Sequence, residues 1–450
     1  MPDAQKRIPL LSTEPRSGRS LREAIERRLN YADIASLCRL ILLIYALMMA
    51  AAFYSHREGR TVFGPQLGAD FAAFYVAGRI YREVAPAAIY DRPTQRKYYQ
   101  EFCPTAAGEE QPYVNAPFFA LPLPWLARLP YAWAYLVWLG LSLALFGVGL
   151  RQLLRLTDAI PAESRTAAIL LAVSFMPFLV ECLAGGQTSA VGFFALATAI
   201  ALERRGRPIL SGAALALCAY KPTLLVLIVP MLLLTRRTRT IAGMAIGGLG
   251  LGLLSFAAVG WEGCARYVRM LLFFADHSTS NATGLKSWKY VDVNSFARLL
   301  FPHSSLRWLL VGAAVAAILP WLIRAWLRAD RSRESAQRLA WAATITWTLV
   351  LNIYLGIYDV TMLVIAAFLA TDVLLRDAAP ARASMPDGHR WMLLALYVVP
   401  WVTQPLAKAT GLQLLTLLLA AFGLRLLALL RQGNARPRIE ETELEPAMSG

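Results

Sequence analysis

Several stretches of this chain run for close to twenty residues with almost no charge, and that feature narrows the choice of fold more than any other. Residues 240–260, 306–326 and 391–407 are too long and too apolar to be the one-sided surface helices of a soluble protein. A helix needs roughly 20 apolar residues to cross bilayer hydrocarbon. The other architecture that leaves no backbone group unsatisfied in lipid is the closed β-barrel, which reads as alternating segments of about 10 residues. These runs do not alternate, so the spacing predicts an all-α fold, a polytopic helical membrane bundle. Composition agrees: 57% of residues are hydrophobic and 16% charged, against about 45–50% and about 25% in soluble domains.

The net charge of +16 comes from short basic clusters between apolar runs. Nucleic-acid binding would instead call for a basic face with interleaved aromatics, so no nucleic-acid partner is expected. Such clusters mark cytoplasmic loops, and they order the chain into about twelve transmembrane helices with both ends inside. Residues 1–33 read as a disordered cytoplasmic arm, 34–431 as the transmembrane domain and 432–450 as a disordered tail. No cleavable signal is evident, and the first apolar run, about 34–54, reads as an anchor. External loops are expected at about 55–130 and 261–304, with short interfacial helices. Residues 116–130 are apolar but broken by prolines, as in a segment that dips into the interface. Basic clusters flank both ends of 208–235, so this stretch must cross twice, with Lys221-Pro222 at its outer apex. The next span is expected to end near Gly260. No internal repeat is visible. The five cysteines form no C-x-x-C pair; Cys103 and Cys264 both fall outside, bridged or free.

Ionisable groups at membrane depth are costly and mark function by default. On this topology several gather on the outer side: Asp70, Glu181, Gln187, Lys221, then Lys286, Lys289, Asp292, Asn294 and His303, and finally Tyr358 and Asp359. Each has a plainer explanation: Asp70 as a solvated loop acid, Lys221 as a snorkelling amine, Asp359 as a helix cap, Gly185-Gly186 as a simple turn, His303 as a loop residue. The sequon at Asn281 is of a kind that recurs by chance.

Four segments, GADFAAFYVAGRIYREVAPAAIYD (68–91), PYVNAPFFALPLPWLARLP (112–130), GGQTSAVGFFALATAIALERRGRPILSGAALALCAYKPTLLVLIVPMLLLTRR (185–237) and IYDV (357–360), occur in an order that resembles glycosyltransferase family 87. The third, with its Gly-Gln and later Lys-Pro, is the most specific. Asn115-Ala116-Pro117 stands where the family more often has a Pro-Pro pair. The resemblance implies a GT-C-type membrane bundle in the bacterial inner membrane, working on its extracytoplasmic side. It implies an inverting mannosyltransferase-like enzyme that moves a sugar from a polyprenyl-phosphate donor to a glycolipid or glycan acceptor. In that reading Asp70 is the general base, and Lys221 meets the charge on the departing phosphate, assisted by Arg79 or Lys289. Gln187, Asn294, Tyr358 and Asp359 contact the sugar or order the site, and Tyr75 and Trp288 offer stacking faces. No Asp-x-Asp occurs, and neither metal nor cofactor is expected. The competing reading is a transporter or lipid-linked-sugar flippase, which predicts midplane polar residues in matching halves; a scaffold with a degenerate site is a third.

Overall fold

The computed structural model describes residues 31–57, 60–64, 66–104, 111–279, 286–302, 305–329, 334–377 and 385–435. His303, Asn281, most of the N-terminal arm and residues 436–450 of the tail lie outside them. Residues 31–33 form the first turn of the first helix and 432–435 prolong the last, so both junctions are helical rather than free arms.

Every long apolar run is a helix, and the described residues contain no strand beyond isolated bridges. The helices are α1 (Tyr31–Ser55), α2 (Phe71–Glu83), α3 (Arg92–Phe102), α4 (Tyr131–Leu156), α5 (Ala162–Val173), α6 (Ser189–Arg204), α7 (Pro208–Ala216), α8 (Ile228–Leu234) and α9 (Thr238–Thr279). They are followed by α10 (Val293–Leu300), α11 (Leu306–Arg328), α12 (Glu334–Val350), α13 (Leu363–Asp377), α14 (Asp387–Thr410) and α15 (Leu414–Ala435). Seven elements are long and apolar enough to cross a membrane, and an eighth if α5 and the following segment Pro177–Ala184, bent 47° from it, count as one span. The expected count of about twelve is therefore not reached on length and composition. The shortfall lies in α6, α7, α8 and α12, helices of 16, 9, 7 and 17 residues. Helices this short belong inside protein rather than in lipid: the side chains of α12 from Leu339 to Val350 are all buried, whereas α1, α9 and α11 turn leucines outward.

The inner helices pack around α12, which lies against α13 and α15, while α6 joins α4 to α7 and α7 lies along α9. An ion network ties the arginine-rich ends together. Arg338 pairs with Asp372, Arg376 bridges Asp372 (2.9 Å) and Asp158, Arg204 pairs with Glu334, and Arg237 with Glu203. Trp341 Nε1 also donates to Glu203 at 2.9 Å.

At the opposite end α2, α3 and 111–130 form a second, smaller core with the outer half of α9. Pro117–Ala120 and Leu123–Leu126 are short helical turns, as the prolines require. The first part of α9 ends at Gly260 (φ 68°, ψ −176°), where the span was expected to end, and a second helical stretch continues from this kink to Thr279. Glycine adopts this left-handed conformation at no steric cost. Tyr81 Oη donates to Ala258 O at 2.7 Å, and Tyr90 packs on Tyr267 at 5.4 Å, so the continued helix walls the outer core. Cys103 and Cys264 are not joined in a disulfide.

Candidate active site

The backbone leading to Asp70 is held in unusual conformations. Gly68 and Ala69 both have positive φ, 70° and 33°. For a residue with a Cβ this costs roughly 1–3 kcal/mol and persists only where surrounding structure enforces it, commonly at functional sites. Here the enforcement comes from the turn at Gly185–Gln187. Asp70 N–H donates to Gly185 O at 3.0 Å. Gly186 also has positive φ, 73°, and a Cβ there would sit 2.6 Å from both Gly68 O and Phe71 Cβ. Only glycine lets the two turns touch, which is the structural meaning of Gly185-Gly186. The far side of the turn is fixed by Tyr135 Oη to Leu183 O (2.8 Å) and Trp138 Nε1 to Gly186 O (3.0 Å).

Asp70 opens α2, yet its carboxylate makes no capping bond. It accepts instead from Gln187 Nε2. Burial raises its carboxyl above the ordinary range, while the Gln187 hydrogen bond and the positive charge of Lys289 pull it back down. Part of the side chain stays accessible.

Lys221 sits between two 3-10 turns, Leu217–Tyr220 and Pro222–Leu225, at the apex between α7 and α8. Its ammonium forms a salt bridge with Asp359, donates to Tyr358 Oη at 3.2 Å and lies 4.3 Å from the centroid of the Tyr358 ring. The Asp359 side chain is 1% exposed and that of Lys221 18%. Asp359 is thus neutralised by an amine rather than spent on a helix cap, and its Oδ1 is buried without a hydrogen-bond partner among the described residues.

The second outer segment closes the site from the other side. Val291 N–H donates to Leu355 O at 2.9 Å, and the Asn294 amide donates to Ile353 O at 2.8 Å. Buried Asp292 accepts from Ser295 and from Leu355 N–H, the latter at 2.9 Å; burial pushes its carboxyl up to about 6. Gln413 Nε2 donates to Trp288 O at 2.9 Å. These bonds bring Lys289 within electrostatic reach of Asp70 and Glu181, and the Tyr290 hydroxyl against that of Tyr354. Glu181 lies in a π-helical turn, a distortion frequent at functional sites, and accepts from Gln404 Nε2 at 2.7 Å. Asp70 and Glu181 also lie within electrostatic reach of Tyr358. Asp70, Glu181, Gln187, Lys221, Tyr290, Tyr354 and Tyr358 each keep part of their surface open, and Lys289 is exposed.

Of the expected residues, Asp70, Glu181, Gln187, Lys221, Lys289, Tyr358 and Asp359 therefore converge. Arg79 does not join them: its guanidinium grips Glu83 at 3.0 and 2.9 Å and lies over Tyr98. Asn294 and Asp292 hold the 353–355 loop in place. Tyr75 ties α2 to Leu129 O (3.0 Å), with its ring edge-on to Tyr131. Lys286 is exposed next to the segment. Tyr290, Tyr354, Gln404, Lys408 and Gln413 were not legible as site residues. Their signal was faint, Tyr290 beside Lys289 and Tyr354 one helical turn before Tyr358. Among the described residues no group of three or more His, Cys, Asp and Glu side chains gathers as metal ligands would.

The fold is a multi-pass helical bundle in which a buried carboxylate, Asp70, lies near an amine–carboxylate pair, Lys221 and Asp359. The sequence model of glycosyltransferase family 87 matches residues 113–352, more than half of the chain, and the chain belongs to that family: it is a membrane glycosyltransferase. The matched stretch includes Gln187, Lys221 and Lys289. No curated protein and no solved structure matches the chain.

Proposed function

We propose that this enzyme transfers a sugar, mannose or another hexose or pentose, from a polyprenyl-phosphate donor to a glycolipid or glycan acceptor, with inversion at the anomeric carbon. The observation that carries the reading is that Asp70, held by Gln187, comes within electrostatic reach of Tyr358, whose hydroxyl accepts from Lys221 of the Lys221–Asp359 pair.

The acceptor hydroxyl gives its proton to the Asp70 carboxylate as its oxygen bonds to the anomeric carbon. The bond from that carbon to the phosphate oxygen breaks, and its electron pair leaves on the polyprenyl phosphate. Lys221, at the outer apex of the short hairpin, offers positive charge to that group. Asp359 fixes the amine through their salt bridge, and Tyr358 limits where it points. Gln187 orders the base, Lys289 balances the buried carboxylates, and Asn294 holds the wall of the site. Arg79, its guanidinium held by Glu83, takes no part in this scheme. No metal or cofactor enters the scheme.

The arginine-rich ends of the helices support a bacterial inner-membrane protein with those ends cytoplasmic and the Asp70–Lys221 end periplasmic. Purified protein, given acceptor lipids extracted from membranes, is expected to move label from a polyprenyl-phosphate [3H]hexose and not from the matching nucleotide sugar. Label moving only from the nucleotide sugar contradicts the proposal.

A further inference from the structure

One mostly buried acid at the site takes no part in the transfer step. Glu181 lies in the π-helical turn Pro177–Ala184. The residue that follows this turn touches the base, because Asp70 N–H donates to Gly185 O at 3.0 Å. The turn itself packs against Ile357–Met362, the segment that carries Tyr358 and Asp359. Glu181 therefore sits between the carboxylate that takes the proton and the Lys221–Asp359–Tyr358 group that faces the departing phosphate. Its electrostatic relations agree: Asp70, Lys289 and Tyr358 all lie within its reach.

The Glu181 side chain is held but not used up. Its Oε1 accepts from Gln404 Nε2 at 2.7 Å, and no second group among the described residues donates to it. A carboxylate offers about four lone-pair sites, and burying one with so few donors is costly unless something else supplies them. Both Glu181 and Gln404 keep part of their surface open. With Asp70 nearby, an anion is repelled from this place; a hydroxyl, which donates, is not. The molecule that stands between Asp70 and Lys221 is the sugar in transfer, and hydroxyls line its ring. We infer that Glu181, positioned by Gln404, accepts a hydrogen bond from one hydroxyl of the transferred sugar and decides which sugar the enzyme takes. A sugar without a hydroxyl at that place leaves the acid unpaired and is rejected. This rests on the glycosyltransferase reading, with Asp70 and Lys221 on either side of the anomeric carbon, and adds the side chain that selects the sugar.

The test is label transfer by the purified full chain to acceptor lipids extracted from membranes. The donors are the hexose that wild type transfers fastest and its monodeoxy versions, one hydroxyl removed at a time. Each is supplied both as the polyprenyl phosphate and as the nucleotide sugar. Wild type is expected to reject one deoxy donor about 10- to 100-fold in kcat/KM against the parent. Glu181→Ala is expected to lose a similar factor with the parent donor and to take the parent and that deoxy donor nearly equally. Glu181→Gln keeps the shape and the bond from Gln404 and is expected to narrow the same ratio, which separates lost charge from lost folding. Gln404→Leu leaves the acid unheld and is expected to narrow that ratio and no other. A wild type indifferent to every deoxy donor overturns the inference. So does a Glu181→Ala protein that is slower with all donors alike while its pattern of rejection is unchanged, since the acid then only braces its turn against α14. Transfer from the nucleotide sugars alone contradicts the polyprenyl-phosphate donor yet still reads the ratio, because both sets carry the same sugars. An unchanged ratio leaves that donor standing.

Discussion

Replacing Gln187 by leucine removes the one side-chain donor on Asp70 while keeping nearly the same volume. Burial already lifts the Asp70 carboxyl, and the Gln187 bond works against that lift. A hydrogen bond to a charged group contributes about 1.5–3 kcal/mol, and 1.36 kcal/mol corresponds to one unit, so the acid limb of kcat/KM moves up by about 1–2 pH units. The sign follows from the base's role. Asp70 must be ionised to accept the proton, so any change that favours its protonated form removes activity first at low pH and spares the high-pH plateau. The assay is label transfer from a polyprenyl-phosphate hexose across pH 4.5 to 9, with wild type and variant run in parallel. A uniform loss of rate at every pH, with the limb unmoved, would mean that Gln187 binds substrate and does not tune Asp70, and the reasoning fails.

Three further outcomes are expected. Lys221→Met and Asp359→Leu each strand a buried charge and should cost about 3–5 kcal/mol of stability, whereas the double variant recovers most of the melting temperature yet stays inactive; recovered activity would reduce the pair to a structural one. Gly186→Ala forces a Cβ against Gly68 O and Phe71 Cβ at a positive φ, a strain of about 1–3 kcal/mol, so transfer should fall at least tenfold in protein that still elutes as a single species, and near-normal activity would show the turn is not what sets Asp70. Asp292 has a folded pKa of about 6, above its unfolded value, so its contribution is fully present below the unfolded pKa and is lost as pH rises through 6. Between pH 7 and pH 5 wild type should gain about 1.3 kcal/mol relative to Asp292→Asn, read as the difference in thermal unfolding; a parallel pH response in the two proteins removes Asp292 as the source.

The helical class and the broken hairpin at Lys221-Pro222 were legible because hydrophobic runs and basic clusters report directly on lipid and on reversals of the chain. The span count was harder. Charge clusters count reversals of the chain, and α7 and α8 reverse within 28 residues, so neither is long enough to count as a crossing by itself. Long-range pairing was not legible. Nothing local in the chain says that Asp359 meets Lys221, 138 positions away; the Arg79–Glu83 pair, one helical turn apart, was open to reading from spacing alone. Tyr290, Tyr354 and Gln413 become visible only once 287–294 is fastened to 353–356 and to α15.

The central claim is that Asp70 takes the acceptor's proton. The most direct measurement is the transfer rate of Asp70→Asn, with donor retention measured on the same preparation. The account predicts loss of at least 100-fold in rate with the lipid-linked donor still bound. A variant that transfers label at the wild-type rate would contradict it.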